Sequence, residues 1–416
     1  MIQAVKGMRD ILPPASGVWN QVEAAARQVF RQFNYREIRT PLLEETSLFA
    51  RGVGEETDIV SKEMYTFDDH GASLTLRPEN TASVLRAYVE HRLDQEPGLQ
   101  KLYYIGPMFR RERPQKGRYR QFFQIGAEAI GADSPAVDAE AIELAVAILH
   151  AAGISGFELL INSVGSKESR AKYNDALRVE LEAVAPQMCE DCRRRAVSNP
   201  LRVLDCKVPE DQPIIEKLPS ILDFLSGDDK EHFRRVREFL DDRRIAFTVK
   251  PRLVRGLDYY MRTTFEITHG SLGAQNAILG GGRYDGLAET IGSKVPAPGI
   301  GFSIGEDRLV MAVEEAGTVK ESGLDLYIAP MGDTALRHCA VLAGDIRKLN
   351  LSVEVGTDRK LKRMLELANK LEARYTLILG DNEIVSQAYS LKNMATGEQE
   401  TLSRAALLER LKNKNG

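Results

Sequence analysis

Residues 102–130 read LYYIGPMFRRERPQKGRYRQFFQIGAEAI, and the rest of the fold can be reasoned outward from them. Two apolar, aromatic-rich runs, Leu102–Phe109 and Gln121–Ile130, flank a segment whose twelve residues, Phe109–Arg120, hold six basic side chains and one glutamate. The runs have the composition of strands, so the stretch is expected to form an antiparallel hairpin with a long basic tip. Arginine forks can grip several phosphate oxygens at once, as a triphosphate requires. A merely solvated tip is the alternative that these residues leave open. On the second strand, Gln124, Gly126 and Glu128 share one face by the period of two. An amide and a carboxylate between Phe122 and Ile130 would be costly in a dry core. They are expected to line a polar pocket for a cationic or hydrogen-bonding ligand.

Upstream, Val18, Val22, Ala25, Val29 and Phe33 repeat at helical spacing, which predicts a helix over Gly17–Asn34 with Ser16 as its cap. A short strand, Tyr35–Thr40, is expected to follow, interrupted by Pro41. Downstream, Ser134-Pro135 should open a helix that stops at Gly153, and Phe157–Ile161 should be a strand. Residues 165–246 are charged and helical in pattern and have the look of an insertion. Strand signals return at Val249–Val254 and Thr263–Thr268. A polar stretch, Glu314–Gly323, suggests a boundary, dividing the chain into 1–322 and 323–416. Beyond it, Leu324–Ala329, Leu351–Val355 and Tyr375–Leu379 alternate with helical patterns, which implies a small α/β domain. In one of those helices Leu361, Met364, Leu365, Ala368 and Leu371 share a face. Arg359, Lys360, Lys362 and Arg363 cluster at its start, a solvated face by default and an RNA contact as an option.

The 416 residues are 43% apolar and 28% charged, values of an ordinary globular chain of two to three domains. No apolar run approaches the roughly 18 residues of a membrane span. Met1–Asp10 shows no secretory pattern, and four cysteines suit a reducing compartment, so a cytoplasmic protein is expected. The net charge of −4 means that any nucleic-acid contact must come from local patches.

Two glycine-rich segments, Leu279–Leu287 (LGGGRYDGL) and Gly299–Arg308 (GIGFSIGEDR), miss the Rossmann spacing, and no P-loop occurs. A glycine-rich strand can instead let a nucleotide lie against bare backbone, with Arg308 reaching phosphate. Cys189, Cys192 and Cys206 make half of a zinc pattern, and no fourth cysteine or histidine lies near in sequence.

The chain resembles the bacterial histidyl-tRNA synthetases, class II aminoacyl-tRNA synthetases, over essentially its whole length. Phe109-Arg110-Arg111-Glu112 with Arg118 and Phe122 is similar to the second class motif. Gly301, Gly305 and Arg308 are similar to the third, and the first helix and strand ending at Pro41 to the first. Arg255-Gly256-Leu257-Asp258-Tyr259-Tyr260 and Gly280-Gly281-Gly282-Arg283-Tyr284-Asp285-Gly286 resemble the two histidine signatures. Leu76–Thr81 (LRPENT) resembles the family's LRPEGT, and Asn80, standing where the glycine does, is a residue type that tolerates positive φ. The tail resembles the class IIa anticodon-binding domain, and the cysteine segment the bacterial insertion. In the family that insertion is not a recognised zinc site, so no metal ligand is assigned.

The resemblance implies an α+β protein, with an antiparallel-sheet catalytic domain, a helical insertion and an α/β anticodon domain, assembled as a homodimer. It implies a ligase that converts ATP and L-histidine to histidyl-adenylate and pyrophosphate and then charges tRNA-His. By resemblance Glu79, Asn80, Thr81 and Gln124 lie around the histidine ammonium. Glu128 accepts from the imidazole, with Tyr259, Tyr260 and Tyr284 closing the pocket. Arg110 and Arg255 face the α-phosphate. Phe122 stacks on adenine, Glu112 meets its amino group, and Arg118 and Arg308 hold the γ-phosphate, with Mg²⁺ travelling on the polyphosphate. The rival is the regulatory subunit of ATP phosphoribosyltransferase, which binds histidine without catalysis. It typically lacks both the anticodon domain and the arginine-bearing signature found here.

Overall fold

The structure is a computed structural model, describing residues 2–54, 57–273, 276–317 and 323–412. It divides into two compact units, Met1–Val319 and Lys320–Gly416. The boundary expected at Glu314–Gly323 overlaps residues 318–322, which lie outside the described residues.

The first unit is built on an eight-stranded sheet. Its order is Arg36–Glu37, Gln100–Phe109, Gln121–Ile130, Gly299–Gly305, Ala277–Arg283, Met261–Thr268, Glu158–Ser163 and Thr248–Val249. The six inner strands run antiparallel, and each edge strand adds in parallel. The expected hairpin forms in full, with Gln100 opposite Ile130 and Phe109 opposite Gln121.

Alternation along the second hairpin strand divides the sheet's two faces. Ile125, Ala127 and Ala129 turn into a core with Phe265, Ile267, Ile300, Phe302 and Ile304. Helices Ala15–Gln32, Pro135–Ala151, Gly227–Asp242 and Glu306–Ala316 cover that face. Each fully buried Ile or Phe there contributes about 1.5–3 kcal/mol. The alternate residues, Gln124, Gly126 and Glu128, are left for the other face, where the site lies.

The first helix begins at Ala15, with Pro14 at the cap position in place of Ser16. Pro135–Ala151 starts where expected, after Ser134. The strands expected at Tyr35–Thr40 and Val249–Val254 shrink to Arg36–Glu37 and Thr248–Val249, since the chain turns away at Pro41 and Pro251. Residues 165–246 are helical, but their final helix is not a separate body. Phe233, Val236 and Leu240 of Gly227–Asp242 pack in the same core as Ile142 and Leu149. The remainder, including Lys167–Val184 and Glu190–Ser198, closes over Tyr173, Leu177, Leu181, Cys192 and Val203 on the site side of the sheet.

The second unit has its own five-stranded sheet, in the order Val353–Val355, Leu326–Pro330, Tyr375–Leu379, Ala388–Asn393, Gln399–Ser403. The first three strands are parallel, as alternating strands and helices require. The last two form an antiparallel hairpin that the sequence reading did not find. Leu326, Ile328, Leu342, Ile346, Leu377 and Leu407 form its core. In helix Leu361–Lys370, Met364 and Ala368 are buried, while Leu371 beyond its end is exposed.

Candidate active site

Glu128 is fully buried beneath the open face of the sheet. Its Oε1 accepts from the Thr81 hydroxyl at 2.7 Å and its Oε2 from the Tyr284 hydroxyl at 2.7 Å. Burial pushes its pKa up to about 8, because those two hydroxyls replace only part of the lost hydration. The neighbouring strand makes the space. Gly301 sits opposite Glu128, and a Cβ there would lie 1.7 Å from Oε2.

Around this carboxyl stand Tyr104, Tyr259, Tyr260 and Tyr284, all buried. The rings of Tyr259 and Tyr260 are 4.7 Å apart, and Tyr259 meets Tyr284 edge-on at 6.1 Å. Gln124, on the same strand face, keeps a buried side-chain oxygen with no hydrogen-bond partner. A buried acceptor of that kind is costly unless a ligand completes it.

Strand Ala72–Leu76 delivers the LRPENT loop to the rim. Glu79, also buried, accepts from the Thr81 and Ala82 backbone N–H groups at 2.7 and 3.0 Å, capping helix Thr81–Glu90. Burial raises its pKa as well. Asn80 has φ −120°, so no left-handed backbone arises at this position. Its Oδ1 accepts from Thr40 at 2.7 Å and Arg77 at 3.2 Å, which ties its carbonyl end to the loop's support.

The basic tip of the hairpin forms the wall above. The Arg110 guanidinium lies 5.2 Å from the Phe122 ring centroid, and its Nε donates to the Pro78 carbonyl at 2.9 Å. Glu112 pairs with Arg118 at 3.0 Å and approaches Arg110 at 3.8 Å. Arg308, at the start of helix Glu306–Ala316, donates to the carbonyls of Gly117 and Ala277 at 3.3 and 2.7 Å. Burial and the nearby Arg118 cation lower its pKa.

Arg255 lies on the same face of the sheet, against strands Ala277–Arg283 and Met261–Thr268. Arg255 pairs with Glu266, while Asp258 accepts from the Asn199 amide at 3.3 Å. A Cβ on Gly280 would lie 1.9 Å from Arg255 Nη2, so the glycine-rich strand clears the path of this arginine too. Arg202 of the insertion donates to the Arg255 carbonyl at 3.0 Å.

Sequence reasoning missed three supports. Arg77, buried, donates to Pro107, Thr40 and Asn80 beneath the loop. Tyr104 bonds Ser303 at 2.8 Å in the chamber floor. Arg283 is wholly buried, with Asp138 at 2.8 Å and Asp285 at 2.6 Å, and so anchors the strand end that carries Tyr284. Asp138 also takes His232 at 2.8 Å and Thr263 at 2.6 Å, and although burial works against it, Arg283 and His232 hold its pKa low. The basic residues in the hairpin were visible as charge; these others gave no local signal, because their partners are far away in sequence.

The structure also corrects the cysteine reading. Cys189, Cys192 and Cys206 come together, and a fourth donor that a search for Cys and His overlooks joins them, the carboxylate of Asp211.

A family model described as Histidyl-tRNA synthetase matches residues 7–309, and one described as Anticodon binding domain matches residues 325–414. The histidine–tRNA ligase of Solibacter usitatus is 67% identical over 99% of both chains. That of Koribacter versatilis is 55% identical over 99% of this chain and 96% of its own. Among solved structures, the apo histidyl-tRNA synthetase of Staphylococcus aureus superposes with a TM-score of 0.82 at 40% identity, covering 99% of this chain and 100% of its own.

Proposed function

The chain belongs to the histidyl-tRNA synthetase family and works as a histidine–tRNA ligase, and from that premise we propose that the chamber over Glu128 takes the histidine and the arginine wall takes ATP. The observation that carries this reading is the buried Glu128 carboxyl, cleared by Gly301 and braced by Thr81 and Tyr284. It can meet an imidazole N–H in a pocket of tyrosine rings. Gln124, Glu79 and Thr81 supply the acceptors that an ammonium needs, with Asn80 fixing their loop, and the unpartnered Gln124 oxygen supports that role. Tyr259, Tyr260 and Tyr284 close the pocket.

Activation joins a histidine carboxylate oxygen to the α-phosphorus and breaks its bond to pyrophosphate. Charge builds on the nonbridging oxygens, where Arg110 and Arg255 act as preorganised cations. Phe122 offers its ring to adenine and Glu112 an acceptor for the adenine amino group. Arg118 and Arg308 take the outer phosphates. ATP comes with Mg²⁺, a hard cation that takes oxygen ligands, and Glu266 beside Arg255 and Arg308 is a carboxylate suited to it. The 3′-terminal adenosine of tRNA-His then displaces AMP from the acyl carbon. We place the working unit as a homodimer in the cytoplasm; no helix among the described residues is long and apolar enough to cross a membrane.

The test is ATP–pyrophosphate exchange with each of the twenty amino acids in turn. Exchange that depends on histidine supports the assignment, and exchange driven equally by another amino acid would overturn it.

A further inference from the structure

We propose that Cys189, Cys192, Cys206 and Asp211 form a structural Zn²⁺ site that braces the insertion against the segment carrying Arg255. The four donor atoms lie within 4.8 Å of one another. Cys189 Sγ and Cys206 Sγ are 3.9 Å apart, and Cys206 Sγ is 3.2 Å from Asp211 Oδ2. With Zn–S near 2.3 Å and Zn–O near 2.0 Å, a tetrahedron has edges of about 3.8 Å between sulfurs and about 3.5 Å from sulfur to oxygen. The cluster therefore needs only a slight adjustment to enclose an ion.

The surroundings suit thiolates. The Cys192 and Val208 backbone N–H groups point at Cys189 Sγ and Cys206 Sγ, each at 3.4 Å, and the Cys189 N–H donates to Asp211 at 3.1 Å. Such bonds orient metal ligands and offset their charge. Cys192, Cys206 and Asp211 are buried, so the site is closed and keeps no position for a substrate, as in structural rather than catalytic zinc sites. Three thiolates with one carboxylate favour Zn²⁺ over the hard cations Mg²⁺ and Ca²⁺. Zinc takes cysteine as the thiolate, so binding releases protons and weakens as pH falls.

Position supplies the purpose. Cys189 caps helix Glu190–Ser198, and Cys206 follows the turn Pro200–Asp205. Between them, Asn199 bonds Asp258 and Arg202 bonds the Arg255 carbonyl. An ion tying Cys189 to Cys206 would fix both contacts, and so the backbone of a catalytic arginine.

The full-length protein, purified under reducing conditions without chelator, should contain one zinc per chain by elemental analysis. Replacing zinc with Co²⁺ should give thiolate-to-cobalt charge-transfer absorption and the intense visible bands of a tetrahedral site, and loading should release protons. Asp211→Asn should weaken Co²⁺ binding at least tenfold while leaving a cooperative melt, and Cys206→Ser should abolish the charge-transfer band assigned to it or shift it. Removing the metal should lower the melting temperature and slow histidine-dependent exchange, both reversed by Zn²⁺. If the reduced wild-type chain takes up no stoichiometric Co²⁺, or binds it without a thiolate band, the proposal fails. It also fails if Cys189 and Cys206 are isolated as a disulfide that reduction does not convert to a metal-binding state. The cobalt spectrum of the wild-type chain decides the matter even if the Cys206 variant does not fold.

Discussion

Glu128 in the ligand-free protein should carry its proton at neutral pH, because burial has moved its pKa up to about 8. Between the ordinary carboxyl pKa near 4.3 and that value the folded chain binds more protons than the unfolded one. Its contribution to stability is therefore whole below about pH 4 and is lost as pH rises through about 8. Glu128→Gln should flatten the fall in melting temperature from pH 5 to pH 8, the residual slope belonging to Glu79 and other buried carboxyls. Binding of the imidazole should draw that proton off Glu128, so the same variant, which cannot ionise, should raise the KM for histidine by about 10- to 100-fold, the worth of one hydrogen bond to a charged group, with little change for ATP. Equal increases in both constants would remove Glu128 from the amino-acid pocket. Arg255 makes a complementary case, since in the proposed arrangement its charge would matter most once the α-phosphate is under attack. Arg255→Ala should cut the kcat of exchange by about 10²–10³ with the melt nearly unchanged, and lysine should restore only part of it. Transfer from preformed histidyl-adenylate should suffer less, because the α-phosphate is then in the leaving group. Near-normal kcat would make Arg255 structural.

Strand Gly299–Gly305 shows what an element contributes beyond its residues. Its glycine at position 301 faces Glu128, so Gly301→Ala puts a methyl group onto the carboxyl and within 2.6 Å of the Ala127 carbonyl. Overpacking of this kind costs about 1–3 kcal/mol, which a domain of this size can absorb. The expected outcome is a folded protein with a lower melting temperature and little histidine-dependent exchange. Exchange at wild-type KM would show that the chamber does not depend on this clearance. The hairpin beside it was legible because alternation is a local property: Ile125, Ala127 and Ala129 against Gln124, Gly126 and Glu128 can be counted off the chain. The pairing of Glu128 with Gly301 was not, since register between distant strands is set by tertiary packing. The same limit hid the Arg255–Glu266 pair and the approach of Asp211 to the cysteines, both decided by turns. The terminal hairpin, Ala388–Asn393 with Gln399–Ser403, escaped notice because its outer strand is mostly exposed and polar, without the alternation that marks a half-buried strand. The roles of the motif residues came from resemblance; burial, clearance and pairing came from the structure.

At the scale of the whole chain, activation and RNA recognition should separate. The unit Lys320–Gly416 has its own sheet and core, so removing it should leave the catalytic sheet and the chamber over Glu128 built as before. A chain ending near residue 322 is expected to melt cooperatively and to keep histidine-dependent exchange, because none of the residues placed around histidine or ATP lies beyond Arg308. It should lose most charging of tRNA-His, since the anticodon-binding domain goes with it. Arg359, Lys360, Lys362 and Arg363 are exposed at the start of helix Leu361–Lys370 and give that unit a concentrated positive charge. Lost phosphate contacts weaken binding in proportion to the counterions they released, so reversing one charge should also reduce the salt dependence. Lys362→Glu in the full chain should therefore raise the KM for tRNA and flatten its dependence on salt, with exchange untouched. Full charging by the shortened chain would refute an RNA-binding role for the tail. Loss of exchange from a shortened chain that still melts cooperatively would instead assign the tail a part in assembling the proposed dimer, and sedimentation of the two proteins would then show the full chain as a dimer and the truncated one as a monomer.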